Sequence, residues 1–207
     1  MTSRKLVAAT AGVASALIFA TTAFAQTQPA ASAAAVTHGS PIAGVCYLST
    51  QEAISTSTVG KHVNTRMQQL IQQVNTELQP EQTVLENEAK AIETGRTTMD
   101  QNTLQTRATA WQTRLTNFQR LSSQRENELQ ATQQKAVARV LQEMDPVAKS
   151  VYQQRRCSIL LDRSSVMLGN PAMDLTPAVI QGLNARIQTF AFERERLQQP
   201  ATTPAAK

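Results

Sequence analysis

Histidine, cysteine, glycine and aromatic residues are all scarce in this 207-residue chain, and each shortage removes a class of chemistry. Two histidines (His38, His62) and two cysteines (Cys46, Cys157) are too few and too scattered for a multi-ligand metal site. Neither histidine has a Cys or acidic neighbour at metal or triad spacing, so no Ser-His-Asp or Cys-His set can be assembled. Both read as incidental. The seven glycines never fall into GxGxxG or GxxxxGK order, which leaves no backbone cradle for nucleotide phosphates. Aromatics at 4%, with seven Gly and eight Pro, do not suit a large α/β core with many tight turns. No catalytic residue, cofactor or metal is expected.

Long apolar runs are missing as well, with one exception. Arg4 and Lys5 precede an apolar stretch from Leu6 to Phe19, which leads into Ala23-Phe24-Ala25. Thr10, Gly12 and Ser15 interrupt it, and it falls short of the roughly 20 apolar residues that a membrane span requires. A basic start, an apolar centre and an A-x-A site describe a secretory signal peptide, residues 1–25, cut after Ala25. Losing Arg4 and Lys5 lowers the net charge from +5 to +3, too weakly basic to argue for nucleic acid. Residues 26–40 and 198–207 have little to bury and read as a flexible leader and tail.

What is present is helical periodicity. Val63, Met67, Leu70, Val74 and Leu78 step by four and three, and Leu85 and Ile92 continue the stripe. After a seamless interval, with the tip near 95–102, the stripe resumes at Leu104, Ala108, Trp111, Leu115 and Phe118. It runs on through Leu129, Ala136, Val140, Met144, Val147 and Val151. Such spacing gives each helix one narrow apolar seam. The two seams predict an antiparallel hairpin over 61–151 that sets Ile92 near Leu104, Leu85 near Trp111 and Leu78 near Phe118. Pro80 and Pro146 lie inside the pattern and predict kinks or local breaks, Pro80 as either a hinge or a fixed bend.

The flanks read differently. Ile42 to Leu48 is a short apolar run without helical period, hence a strand, and Gln51 to Ile54 forms a turn of helix. Cys157–Leu161 and Val166–Leu168 flank Asp162-Arg163-Ser164-Ser165 as a strand hairpin. Thr176 N-caps a last helix with Val179, Ile180, Leu183, Ile187 and Phe190 on one face. The fold class is therefore α+β and mostly α: a long helical-hairpin arm projecting from a small β-containing base at 41–60 and 152–190. So few residues rarely bury enough apolar area to stand alone, and three short strands leave open edges. The base should therefore oligomerise, through Ile42, Val45, Leu48, Ile159, Leu161, Val166 and Leu168. Cys46 and Cys157, on strands that meet at the arm's root, form either a disulfide or two small buried side chains.

Lys90, Arg96, Arg107, Arg114, Arg120 and Arg125 stand against Glu93 and Asp100 and leave the distal hairpin cationic by about four charges. The surplus is either a rim that attracts acidic clients or anionic lipid head groups, or a solvated helix surface. Trp111 and Phe118 belong to the seam. Met99, off it at the tip, is a candidate for client contact.

The order of parts resembles the Skp/OmpH family of periplasmic chaperones, which carry unfolded outer-membrane proteins. Val45-Cys46-Tyr47-Leu48-Ser49-Thr50-Gln51-Glu52-Ala53-Ile54 with Gly60-Lys61 looks like that family's first strand, turn and helix start. Ser158-Ile159-Leu160-Leu161-Asp162-Arg163-Ser164-Ser165-Val166 looks like its "DLVLDRSAVL" segment, and Asp174-Leu175-Thr176 with Val179-Ile180 and Leu183-Asn184 like its "DIT…VI…LN" end. The resemblance spans about residues 42–187. It implies a homotrimer, periplasmic localisation and ATP-independent holding of unfolded outer-membrane proteins between arms, with outer membrane protein assembly as the process served. The alternative in another class is a structural coiled-coil spacer or scaffold of the cell envelope.

Overall fold

The computed structural model describes residues 36–197; the signal segment, most of the leader and the tail lie outside them. The chain divides after Thr37, and His38 onward is one unit. Its elements are β1 (Val45–Leu48), α1 (Thr50–Thr56), α2 (Thr58–Gly95), α3 (Gln101–Gln154), β2 (Ile159–Asp162) and α4 (Thr176–Arg186). The protein is mostly helical, with α2 and α3 packed as a hairpin beside a two-stranded sheet.

Local chemistry sets each boundary. Ser49 caps α1 by accepting from the Glu52 N–H, and Ser57 caps α2 by accepting from the Gly60 N–H. Gly60 is required because α1 passes so close that a Cβ there would collide with the Ile54 carbonyl oxygen. Asn184 of α4 reaches across to accept from the Thr58 N–H at 2.7 Å, a second anchor for the start of α2. At the other end Asp100 caps α3 by accepting from the Thr103 N–H at 3.0 Å. Thr103 holds the Asp100 carboxyl below the usual carboxylate range.

At about 1.5 Å per residue, the 38 residues of α2 span about 57 Å and the 54 of α3 about 81 Å. The predicted register holds at its best-defined point, where Trp111 Nε1 donates to the Leu85 carbonyl at 3.0 Å. Neither proline breaks its helix: α2 runs through Pro80 and α3 through Pro146. At each, one N–H donor is missing while the helix continues on either side.

The core lies where the hairpin meets the base. Val63, Met67 and Leu70 of α2 and Ala136, Val140 and Met144 of α3 bury against Ala53, Leu175, Val179 and Leu183. Cys46 and Cys157 are joined, with Sγ atoms 1.96 Å apart, and tie β1 to the end of α3.

The predicted strand hairpin is not there. β2 pairs instead with β1, in parallel, Val45 opposite Ile159 through Leu48 opposite Asp162, so the sheet has two strands rather than three. Val166–Leu168 is not a strand, and Arg163–Ser165 is a 3-10 turn. Asp162 caps that turn by accepting from the Ser164 N–H at 2.8 Å, and Arg163 lies over the Tyr47 ring at 5.0 Å. The Asp-Arg-Ser sequence thus serves a capped turn and a cation–π contact. Thr176 does not cap α4 either. It is the first helical residue, its N–H donates to Asp174 and its hydroxyl accepts from the Ser49 N–H.

The last helix ends at Arg186, not beyond Phe190. From Ile187 the chain has no regular secondary structure and follows the arm as far as Leu197.

Candidate functional site on the arm and base

Distal to Glu77 and Gln124, hydrogen bonds and ion pairs between elements of the described chain run only between α2 and α3. Most of the cations predicted for a rim have a partner on the arm itself. Arg107 pairs with Glu88 at 3.0 Å, Arg114 with Glu81, Arg125 with Glu77 at 2.6 Å, and Arg96 with Glu93 at 3.0 Å. The hydrogen bonds from Arg114 hold the Glu81 carboxyl below its ordinary value. Arg120 bonds to Asn117. With Glu81, Glu86 and Glu88 of α2 in the count, six cations meet five carboxylates, so the distal arm is close to neutral. The apparent surplus arises when α3 is taken out to Arg125 but α2 only from Lys90 onward.

Met99 folds back over the tip rather than standing free. It packs where a Cβ on Gly95 would be and lies 3.8 Å from the Arg107 guanidinium. Trp111 and Phe118 are half-buried in the seam, and Trp111 borders a cleft of about 430 Å³ with Ala89, Ile92 and Ala108. The apolar side chains that α2 offers to solvent are Ile71 and Val84. Both lie off the seam, where a seam-based reading does not look.

The base carries a larger apolar surface. All four residues of β2 are exposed, including Ile159, Leu160 and Leu161, whereas β1 is mostly buried. Ile42 is 64% exposed, Leu168 73% and Met167 97%. Val45 and Val166 are half-buried, and Leu48 belongs to the protein's own core. A short apolar strand whose outer edge is unpaired among the described residues, beside further exposed aliphatics, is surface that isolated soluble domains avoid.

A third arrangement was missed by the sequence reading, which took His62 as incidental and Phe190 as helical. The segment Ile187–Leu197 lies on both arm helices. Phe190 and Phe192 pack near the His62 ring, whose Nε2 is 2.9 Å from the Phe190 carbonyl oxygen. Arg66 of α2 donates to the Phe192 carbonyl and to the Glu193 carboxylate. On α3, Thr132 accepts from the Glu195 N–H at 2.8 Å, and Lys135 pairs with Glu195. Arg194 reaches both helices, bonding Glu77 at 2.8 Å and Glu128 at 3.3 Å. Arg125 binds the same two carboxylates, and Glu128 is only 2% exposed at its side chain. Two guanidiniums thus satisfy a buried carboxylate that would otherwise be costly. Burial pushes the Glu77 carboxyl up, but the hydrogen bonds and charges of Arg125 and Arg194 prevail and hold it below its ordinary value. The signal for this segment was alternation, Phe190-x-Phe192-x-Arg194, at a period of two.

The Outer membrane protein (OmpH-like) family matches residues 44–183, from the start of β1 into α4. This chain belongs to that family. Its fold agrees: a crystal structure of an OmpH-like outer membrane chaperone candidate from Caulobacter crescentus CB15 is 48% identical with a TM-score of 0.71. That match covers 80% of this chain and 98% of the other. Among curated proteins none matches. This OmpH-like chain is thus a member of a family of chaperones rather than enzymes. Family membership and the disulfide mark it as extracytoplasmic.

Proposed function

We propose that the protein is an ATP-independent holdase that binds unfolded outer-membrane proteins in a cavity between arms of several copies. The observation that carries this reading is the arm beyond Glu77 and Gln124: two helices thick, held by its own seam, and far longer than the core needs. Such an arm has surface to offer and no interior to protect. Its neutrality argues for many weak contacts rather than one charged site, and several arms acting together raise effective concentration without a strong motif. Ile71 and Val84 join Lys90, Arg96, Met99, Arg107, Arg114 and Arg120 as the side chains proposed to meet clients or anionic lipid head groups. Binding alone would drive the cycle, with release coupled to folding at the membrane.

The exposed β2 edge and the Ile42, Leu161 and Leu168 surface supply the self-association, proposed here as a homotrimer. Residues 41–60 and 152–190 would be its oligomerisation base. The mature chain would begin after cleavage at Ala25. The test is aggregation of a urea-denatured outer-membrane barrel, followed by turbidity, with the mature protein at stoichiometric amounts and no nucleotide. Suppression supports the holdase. Unchanged aggregation would leave the arm as an envelope spacer.

A further inference from the structure

The family match ends at Leu183, yet the chain continues along the arm in an extended course to Leu197. We propose that the proximal face of the α2–α3 hairpin is a binding site for an extended peptide, that its ligand in cis is Ile187–Leu197, and that the bound segment clasps α2 to α3. The contacts have the character of peptide recognition. His62, Arg66 and Gln124 meet the carbonyl oxygens of Phe190, Phe192 and Leu197, and Thr132 takes the Glu195 N–H. Phe190 and Phe192, two residues apart, pack against the core. Charge fixes the register: Glu193 on Arg66, Arg194 on Glu77 and Glu128, Glu195 on Lys135.

Arg194 is the pin, because its one guanidinium bonds a carboxylate on each helix. Its contacts end at Glu77, three positions before Pro80, which cannot donate to the Thr76 carbonyl. The clasped part of the arm thus ends just before the one turn of α2 that lacks a main-chain donor.

Amide exchange on the oxidised mature protein tests this without any client, so its outcome is independent of the holdase reading. Ending the chain after Arg186 should speed exchange in 62–77 and 124–139 at least about tenfold, the factor that loss of a charge-assisted contact carries. A synthetic peptide spanning Ile187–Leu197, at millimolar concentration, should restore the protection. A peptide with Arg194→Gln should restore less. In case the shortened chain folds poorly, the full-length Arg194→Gln variant should show the same local loss with α4 and the disulfide unchanged. Exchange that is unaltered by both changes, or protection that the peptide fails to restore, overturns the proposal.

Discussion

Arg156 ends α3 with φ at 55°, in the left-handed region where glycine is the usual occupant. Its N–H donates to the Gln153 carbonyl, and the next N–H, of Cys157, returns to Tyr152 at 3.1 Å. This closes a Schellman turn and delivers Cys157 to Cys46. Arg156→Gly should raise the midpoint of chemical denaturation, by about 1 kcal/mol in stability, since it relieves the Cβ penalty. The disulfide matters more. It closes a separation of 111 residues, so Cys46→Ala with Cys157→Ala should cost about 4–5 kcal/mol on the chain-entropy view, measured by denaturant unfolding without reductant. Glu77 gives a pH dependence. Its folded-state pKa lies below the unfolded value, so its contribution is complete above the unfolded value and is lost as pH falls through the folded one. Glu77→Gln should flatten that acid limb in an unfolding titration. The cysteine pair was visible in the sequence as one of two alternatives. The partners of Arg194 were not, because nothing local links residue 194 to residues 77 and 128.

At the scale of elements, the seam carried most of the information. A narrow stripe repeating every three to four residues can be satisfied only by another such stripe, and a turn near 98 leaves one pairing, with Leu85 beside Trp111. Trp111→Phe removes the N–H donor and the five-membered part of the indole from the seam, and should cost about 1–3 kcal/mol in thermal or denaturant unfolding. Pro80→Ala should restore a donor to the Thr76 carbonyl and slow amide exchange around 76–84, stabilising α2 locally by about 1–3 kcal/mol. Short apolar runs were less informative. Leu160-Leu161 and Val166-Met167-Leu168 both suit strands, and adjacency favoured pairing them with each other. The actual partner of β2, the β1 strand, lies over a hundred residues away, and its choice depends on packing at the arm's root. The end of α4 was misread for a related reason. Ile187 and Phe190 fit a helical face, but Phe190, Phe192 and Arg194 fit an alternating one equally well, and contacts from both arm helices decide for the latter.

For the whole molecule, the base and the arm make one account. The base leaves β2 and its aliphatic neighbours uncovered, which copies of the same surface would bury, and the arm extends past any interior it could protect. Leu161→Asp should place a charge on that surface and shift the mature protein toward monomer in sedimentation, while the disulfide and α4 persist. The arm's near balance of charge further implies that capture depends only modestly on salt between low and physiological ionic strength. The most direct single measurement is the molar mass of the mature protein by light scattering, alone and with a denatured outer-membrane barrel. About three chain masses are expected for the protein alone, and a soluble complex heavier by one client in the mixture. A monomer whose mass is unchanged by the client would contradict both.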